Sequence, residues 1–181
     1  MRLLKIICLS LLCASCISIG GIYSGYNQLS DQQKQRVKDL SIPMEEVKAD
    51  GNIYQITHEQ AMDLIRSQAE VLIYEYTPWC KSEYCANPLE VAERCKESNI
   101  FFCLITTTFE DISSLWKMEL PIFAIRNEAY GTKVRAKYCR LFFDQLTGVP
   151  EKERGFGSFY LFRDGRFVQA YKRFQDALAK K

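Results

Sequence analysis

Histidine is nearly absent: the 181-residue sequence holds only His58. That scarcity argues against a Cys–His nucleophilic hydrolase, which needs imidazole beside the thiol. Beyond residue 16 no two cysteines stand at Cys-x-x-Cys spacing, so paired-cysteine zinc ligation has no sequence support. No dense run of Lys and Arg interleaved with aromatics occurs, and nucleic acid is therefore not an indicated partner. Charge is missing from one long stretch as well. After Arg2 and Lys5, none appears until Asp31, and residues 6–19 are almost wholly apolar.

A basic start followed by an apolar run reads as an export signal, which is set aside before the fold is considered. The run is short for a spanning helix, which needs ~20 apolar residues. Leu12-Cys13-Ala14-Ser15-Cys16 resembles a lipoprotein signal, with two small residues directly before a cysteine. Cys13 stands where that pattern usually has Leu. The resemblance implies cleavage after residue 15, a lipid on Cys16, and a membrane-anchored protein of the cell envelope. An ordinary cleaved signal, or an uncleaved anchor running to about Ile22, are the other readings, and all three export the domain. The division is then a signal at 1–15, a tether at 16–50 with Gly20, Gly21 and Gly25, and one folded domain at 51–181.

Eight cysteines are present. Two leave with the signal and one carries the lipid, so five remain and at least one is unpaired in a monomer. Cys95, Cys103 and Cys139 fall on apolar faces and read as buried thiols. Without the signal the charges balance, but residues 16–125 hold 9 basic and 16 acidic residues, whereas 126–181 hold 13 and 6. A basic tail half suits an anionic lipid or an acidic partner. Attraction between the halves, or simple solvation, is the plainer account.

The domain alternates strand and helix patterns. Residues 52–56 read as a strand, Thr57 and Gln60 as a capping box, and Ala61, Leu64 and Ile65 as one helix face. Strands follow at 71–76 and 100–106. Between them Pro88 begins or kinks a helix with Leu89, Val91, Ala92 and Cys95 as its apolar stripe. Ser30 and Gln33 form a second capping box ahead of a short polar helix at 31–40. Near the C-terminus, 158–162 and 166–171 flank Arg163-Asp164-Gly165, a hairpin signal, and a short helix closes the chain at 174–180. Alternation of this length argues for an α/β sheet with a parallel centre.

Val71 through Cys80, Val-Leu-Ile-Tyr-Glu-Tyr-Thr-Pro-Trp-Cys, resembles the central strand of thioredoxin running into its Trp-Cys active site. Pro88 falls where the family often has a kinking proline, and residues 157–165 resemble its hairpin. The resemblance covers about 52–108 and 157–180. It implies a thioredoxin-like mixed sheet flanked by helices, with a helical insertion at about 109–156 before the C-terminal β-hairpin. It also implies thiol–disulfide exchange with envelope protein thiols, in which Cys80 attacks and Cys85 resolves. Trp79 and Gly157 dock the substrate, Gly157 standing at the family's cis-proline position, and neither metal nor cofactor is needed. A competing alignment gives that position to Pro121. The family's buried acid falls on Tyr74, with Glu75 beside it.

The spacing departs from the family, since Cys80-Lys-Ser-Glu-Tyr-Cys85 replaces Cys-x-x-Cys. On an unbroken helix the two thiols would stand ~140° apart, so a bond between them requires a looped segment. Placed at a helix start, Cys80 would gain thiolate character from the dipole and from Lys81, whereas Glu83 opposes it. A non-catalytic binding module, with Cys80–Cys85 as a structural staple or unpaired, is the alternative.

Overall fold

A computed structural model describes residues 21–179, so the segment read as an export signal, and Cys16, lie outside the described residues. The chain forms one seven-stranded mixed sheet with helices on both faces. The strands are β1 (Val37–Asp39), β2 (Ile53–Ile56), β3 (Glu70–Tyr76), β4 (Phe101–Thr106), β5 (Ile122–Ile125), β6 (Phe159–Arg163) and β7 (Arg166–Tyr171), in the order β1-β2-β5-β4-β3-β6-β7. From β1 to β3 every pairing is parallel, and β6 runs antiparallel to β3 and to β7. This is the thioredoxin-like α/β arrangement expected from the sequence: a central strand between a parallel neighbour and an antiparallel hairpin.

β3 is central because it is apolar on both faces. Val71 and Ile73 enter the core on one side of the sheet, and Leu72 and Tyr74 enter the core on the other. Helices α2 (His58–Ser67) and α4 (Arg135–Thr147) cover the first side; the short α1 (Asp31–Lys34), which has no buried residue, precedes β1. Helix α3 (Pro88–Glu97), a 3₁₀ turn at Ile112–Lys117, and α6 (Phe174–Leu178) cover the second; α5 (Glu151–Arg154) is one turn after α4. Both capping boxes form, at Ser30 with Gln33 and at Thr57 with Gln60. Between β6 and β7, Asp164 and Gly165 have φ of 48° and 75°, the pair of positive values that a two-residue hairpin turn demands.

Several details differ from the sequence reading. Residues 21–50, read as a tether, lie against the domain: Leu29, Leu40, Met44 and Val47 are buried, and β1 adds an edge strand to β2. The polar helix expected at 31–40 stops at Lys34, and Val37–Asp39 pairs with the sheet instead. Four scattered apolar residues in a polar stretch carry no helix or strand period, so nothing local announced their burial. On α3 the buried stripe is Pro88, Val91 and Cys95, and Leu89 faces solvent.

The region 109–156 supplies α4, as expected of a helical insertion. It also supplies β5, a continuous apolar run, Ile-Phe-Ala-Ile, lodged between β2 and β4 where both faces are covered. Pro121 precedes this parallel strand, which is two places from β3; Gly157 precedes β6, the antiparallel strand directly beside β3. The acidic and basic halves meet in ion pairs, Arg126 with Asp39 at 2.5 Å, Arg163 with Glu70, and Arg173 with Glu83 at 3.6 Å.

Candidate functional site

The carboxyl ends of the parallel strands form one edge of the sheet, which is where α/β proteins place their sites. β3 ends at Tyr76 and opens into a loop that continues until Asn87 caps α3, accepting the Leu89 N–H at 3.0 Å with its side chain. Two turns shape the loop. Cys80 donates its N–H to the Thr77 carbonyl at 3.0 Å, and Cys85 donates to the Ser82 carbonyl at 3.0 Å. Cys80 and Cys85 are brought to a Cα separation of 6.1 Å and are joined in a disulfide. That separation lies within the ordinary range for a disulfide. The looped segment that the five-residue separation required is present.

The helix, however, does not begin at Cys80. It begins at Pro88, which occupies the first helical position, so Pro88 starts the helix and does not kink it. Of the two cysteines, Cys85 is the nearer in sequence to the α3 N-terminus. A further group the sequence reading passed over is Ser82. Its hydroxyl lies 3.2 Å from the Cys85 sulfur and 3.7 Å from the Cys80 sulfur, and it accepts the Tyr84 N–H at 3.3 Å. On reduction this hydroxyl can donate to the sulfur that leaves, favouring its thiolate form. Glu83 turns outward to Arg173, whose guanidinium also sits 5.8 Å over the Tyr84 ring. Its negative charge is thus partly matched.

A groove of about 400 Å³ runs beside Cys85, walled by Tyr84, Phe159, Arg173 and Phe174. On the other side of the loop Trp79 is 40% exposed, with the Arg135 guanidinium 5.4 Å from its ring. Arg135 comes from the start of α4, fifty-odd residues along the chain, and no local pattern signals it. It also donates to the Thr107 hydroxyl at 3.3 Å, which pairs with the Thr77 hydroxyl at 3.2 Å. The loop's base is thereby tied to β4 and α4.

Gly157 lies at this same edge, since Ser158 accepts the Glu75 N–H at 2.8 Å. Its lack of a side chain has a packing cause. A Cβ there would stand 2.7 Å from the Tyr171 nitrogen and closer still to that residue's carbonyl.

Tyr74 and Glu75 part company because strand neighbours face opposite ways. Tyr74 points toward α3, stacks on Phe159 at 4.3 Å, and donates its hydroxyl to the Ala86 carbonyl at 3.2 Å. Burial pushes its phenol up to about 12. Glu75 points to the α4 side, where it accepts the Tyr160 hydroxyl at 2.8 Å. Burial holds its carboxyl above the usual range, against that hydrogen bond and the charges of Arg154 and Arg135. A cavity of about 220 Å³ adjoins it, lined also by Cys139 and Arg140. Neither residue touches the cysteines in the way an acid beneath them would.

Cys95, Cys103 and Cys139 are free and buried, as read from the sequence, and burial raises all three thiols, Cys95 to about 12. Inert at neutral pH, they leave the disulfide as the reactive sulfur among the described residues. His58 sits at the start of α2 against the Tyr130 hydroxyl, 3.2 Å away, and remote from the loop in the sheet order. Among the described residues no three His, Cys, Asp or Glu side chains converge as a metal site requires, and no helix is long and apolar enough to cross a membrane. No family model matches the chain, and no curated protein does.

Proposed function

We propose that the chain is a membrane-tethered thioredoxin-like protein of the cell envelope that exchanges thiols and disulfides through Cys80 and Cys85. One observation carries the reading: the two cysteines are bonded to each other in a solvent-facing loop at the carboxyl end of the central strand, while every other described cysteine is buried. In the reduced chain the Cys80 thiolate attacks a partner disulfide and expels one partner thiolate. Cys85 then attacks Cys80, re-forms the bond and releases the second partner thiolate, so two electrons pass to the partner. Run backwards, the same steps oxidise a partner dithiol, with Cys85 leaving beside the Ser82 hydroxyl. The export signal and the small residues before Cys16 support the envelope location and lipid tether.

A second reading, a binding module with the pair as a fixed staple, draws support from the start of α3 at Pro88, eight residues after Cys80. No helix N-terminus then backs Cys80 to depress its pKa. The two readings separate by trapping. Cys85→Ser leaves Cys80 unresolved and should accumulate mixed disulfides with envelope proteins on non-reducing gels, while Cys80→Ser should not. Recovery of the same partner by both variants without any disulfide would favour the binding module.

A further inference from the structure

The segment that follows the anchor is fastened at the disulfide edge. Gly21 donates its N–H to Glu110 at 3.0 Å and its carbonyl accepts from Arg135 at 2.8 Å. The Arg135 N–H donates to the Ile22 carbonyl at 2.8 Å, and Tyr23 bridges to Val134. Ser24 then accepts from the Phe109 N–H at 2.6 Å. All these partners lie just past the carboxyl end of β4 or at the start of α4. A Cβ on Gly21 would stand 3.5 Å from the Trp79 ring, so the chain joins the domain beside the Trp79-Cys80 corner. Gly21 stands five positions after Cys16, a reach of ~18 Å at most.

The same edge carries the chemistry of a membrane interface. Trp79, Tyr84, Tyr23 and Ile22 are among its exposed large apolar side chains, and Phe156, 82% exposed, precedes β6 there. Exposed apolar side chains gathered at one end mark an interaction surface, and Trp and Tyr favour the level of lipid headgroups. Cations surround them. Lys133 just before α4, and Lys137 and Arg140 in its first two turns, stand exposed, and Lys172, over the Phe156 ring at 5.6 Å, follows the end of β7. Nearby Glu83 is paired with Arg173 and Glu110 accepts from Gly21, while Asp111 and Glu128 also stand exposed at this edge, outnumbered by the four cations. Polybasic rims of this kind favour anionic lipid.

We infer that the disulfide edge rests on an anionic bilayer surface, so that the Cys80–Cys85 pair meets thiols of membrane-embedded proteins at headgroup level. The orientation extends the anchored-exchange reading and rests on it for the anchor. The two tryptophans make it testable, because Trp116 packs on Arg36 and near Gly51, ahead of β1 and β2, at the opposite end of the strands. That end is ~20 Å away across a seven-residue strand.

The full chain is reconstituted in phosphatidylcholine vesicles with and without phosphatidylglycerol, both containing a headgroup-level nitroxide lipid. Trp116→Phe leaves Trp79 as the single tryptophan, and Trp79→Phe leaves Trp116. Trp79 is expected to be quenched about twofold or more over Trp116, with the difference growing when phosphatidylglycerol is present. Equal quenching, or stronger quenching of Trp116, overturns the orientation and leaves this edge to a soluble protein partner or to solvent. The intact mass of the same sample reports the anchor separately. Acylated Cys16 with equal quenching removes the orientation alone, whereas unacylated Cys16 with Trp79 still preferentially quenched removes the lipid anchor and keeps the membrane-facing edge.

Discussion

Reducing the Cys80–Cys85 bond should cost the domain about 2 kcal/mol and leave it folded. The bond closes a short loop, the second cysteine standing five positions after the first along the chain. Loop-closure entropy for that length gives about 2 kcal/mol at 25 °C. Nothing else is lost with it, because Lys81, Ser82, Glu83 and Tyr84 are all exposed and none belongs to either core cluster. A domain of this size is ordinarily stable by about 5–15 kcal/mol, so the reduced form remains native. Urea unfolding followed by circular dichroism, with and without a phosphine reductant, should show a midpoint shift of ~1 M at an unchanged slope. Linkage converts the same free energy into a potential ~45 mV lower for the pair in the folded chain than in the unfolded one. An exchange protein must be folded in both redox states, and this modest coupling permits it. Unfolding of the reduced chain, or a shift more than twice the predicted one, would refute the reasoning and make the bond a staple. A zero shift would mean that the loop is held closed by something other than the bond.

Three further outcomes follow from named contacts. Gly157→Ala should destabilise by about 3 kcal/mol or more, because its Cβ meets the Tyr171 backbone, which cannot rotate aside. Gly148→Ala, at φ 67° with open space around it, should cost only about 1–2 kcal/mol in the same denaturation assay, and equal costs would contradict the packing account. Burial raises the Glu75 carboxyl above its ordinary 4.5, so the folded chain binds that proton more tightly than the unfolded chain. Its contribution is therefore full below pH ~4.5 and is lost as pH rises through the raised value. Glu75→Gln, whose amide oxygen still accepts from Tyr160, should flatten that decline and stabilise the domain at neutral pH; parallel stability–pH curves for the two proteins would contradict this. Ser82→Ala removes the hydroxyl 3.2 Å from the Cys85 sulfur and should slow reduction by dithiothreitol roughly 2- to 10-fold. An unchanged rate would remove Ser82 from the chemistry.

Much of the fold was legible because its strongest elements obey local rules. The 71–76 run, the Thr57–Gln60 box, and the Asp164-Gly165 turn each carry a period or a cap that few other conformations satisfy. What was not legible depends on partners distant in sequence. β1 exists because β2 offers an edge, and Leu29, Leu40, Met44 and Val47 are buried by a surface formed elsewhere. The site divides the same way. Cys80 and Cys85 were identifiable from a strand followed by Trp-Cys, and the requirement for a loop followed from their separation. The start of α3 stayed open because Asn87-Pro88, a local start signal, competed with a family resemblance that put a helix start at Cys80. Ser82 stood between the cysteines and was accessible to the same loop argument. Arg135 was not, since only the folded chain brings it over Trp79.

The equilibrium potential of the Cys80–Cys85 pair tests exchange most directly. The full chain is incubated across a dithiothreitol or glutathione series, quenched with an alkylating agent, and each cysteine is read by mass spectrometry. Exchange predicts a two-electron transition of this pair alone at a potential above about −300 mV, with Cys95, Cys103 and Cys139 remaining thiols throughout. A pair that stays oxidised to potentials below about −300 mV would contradict it and make the bond a permanent part of the fold.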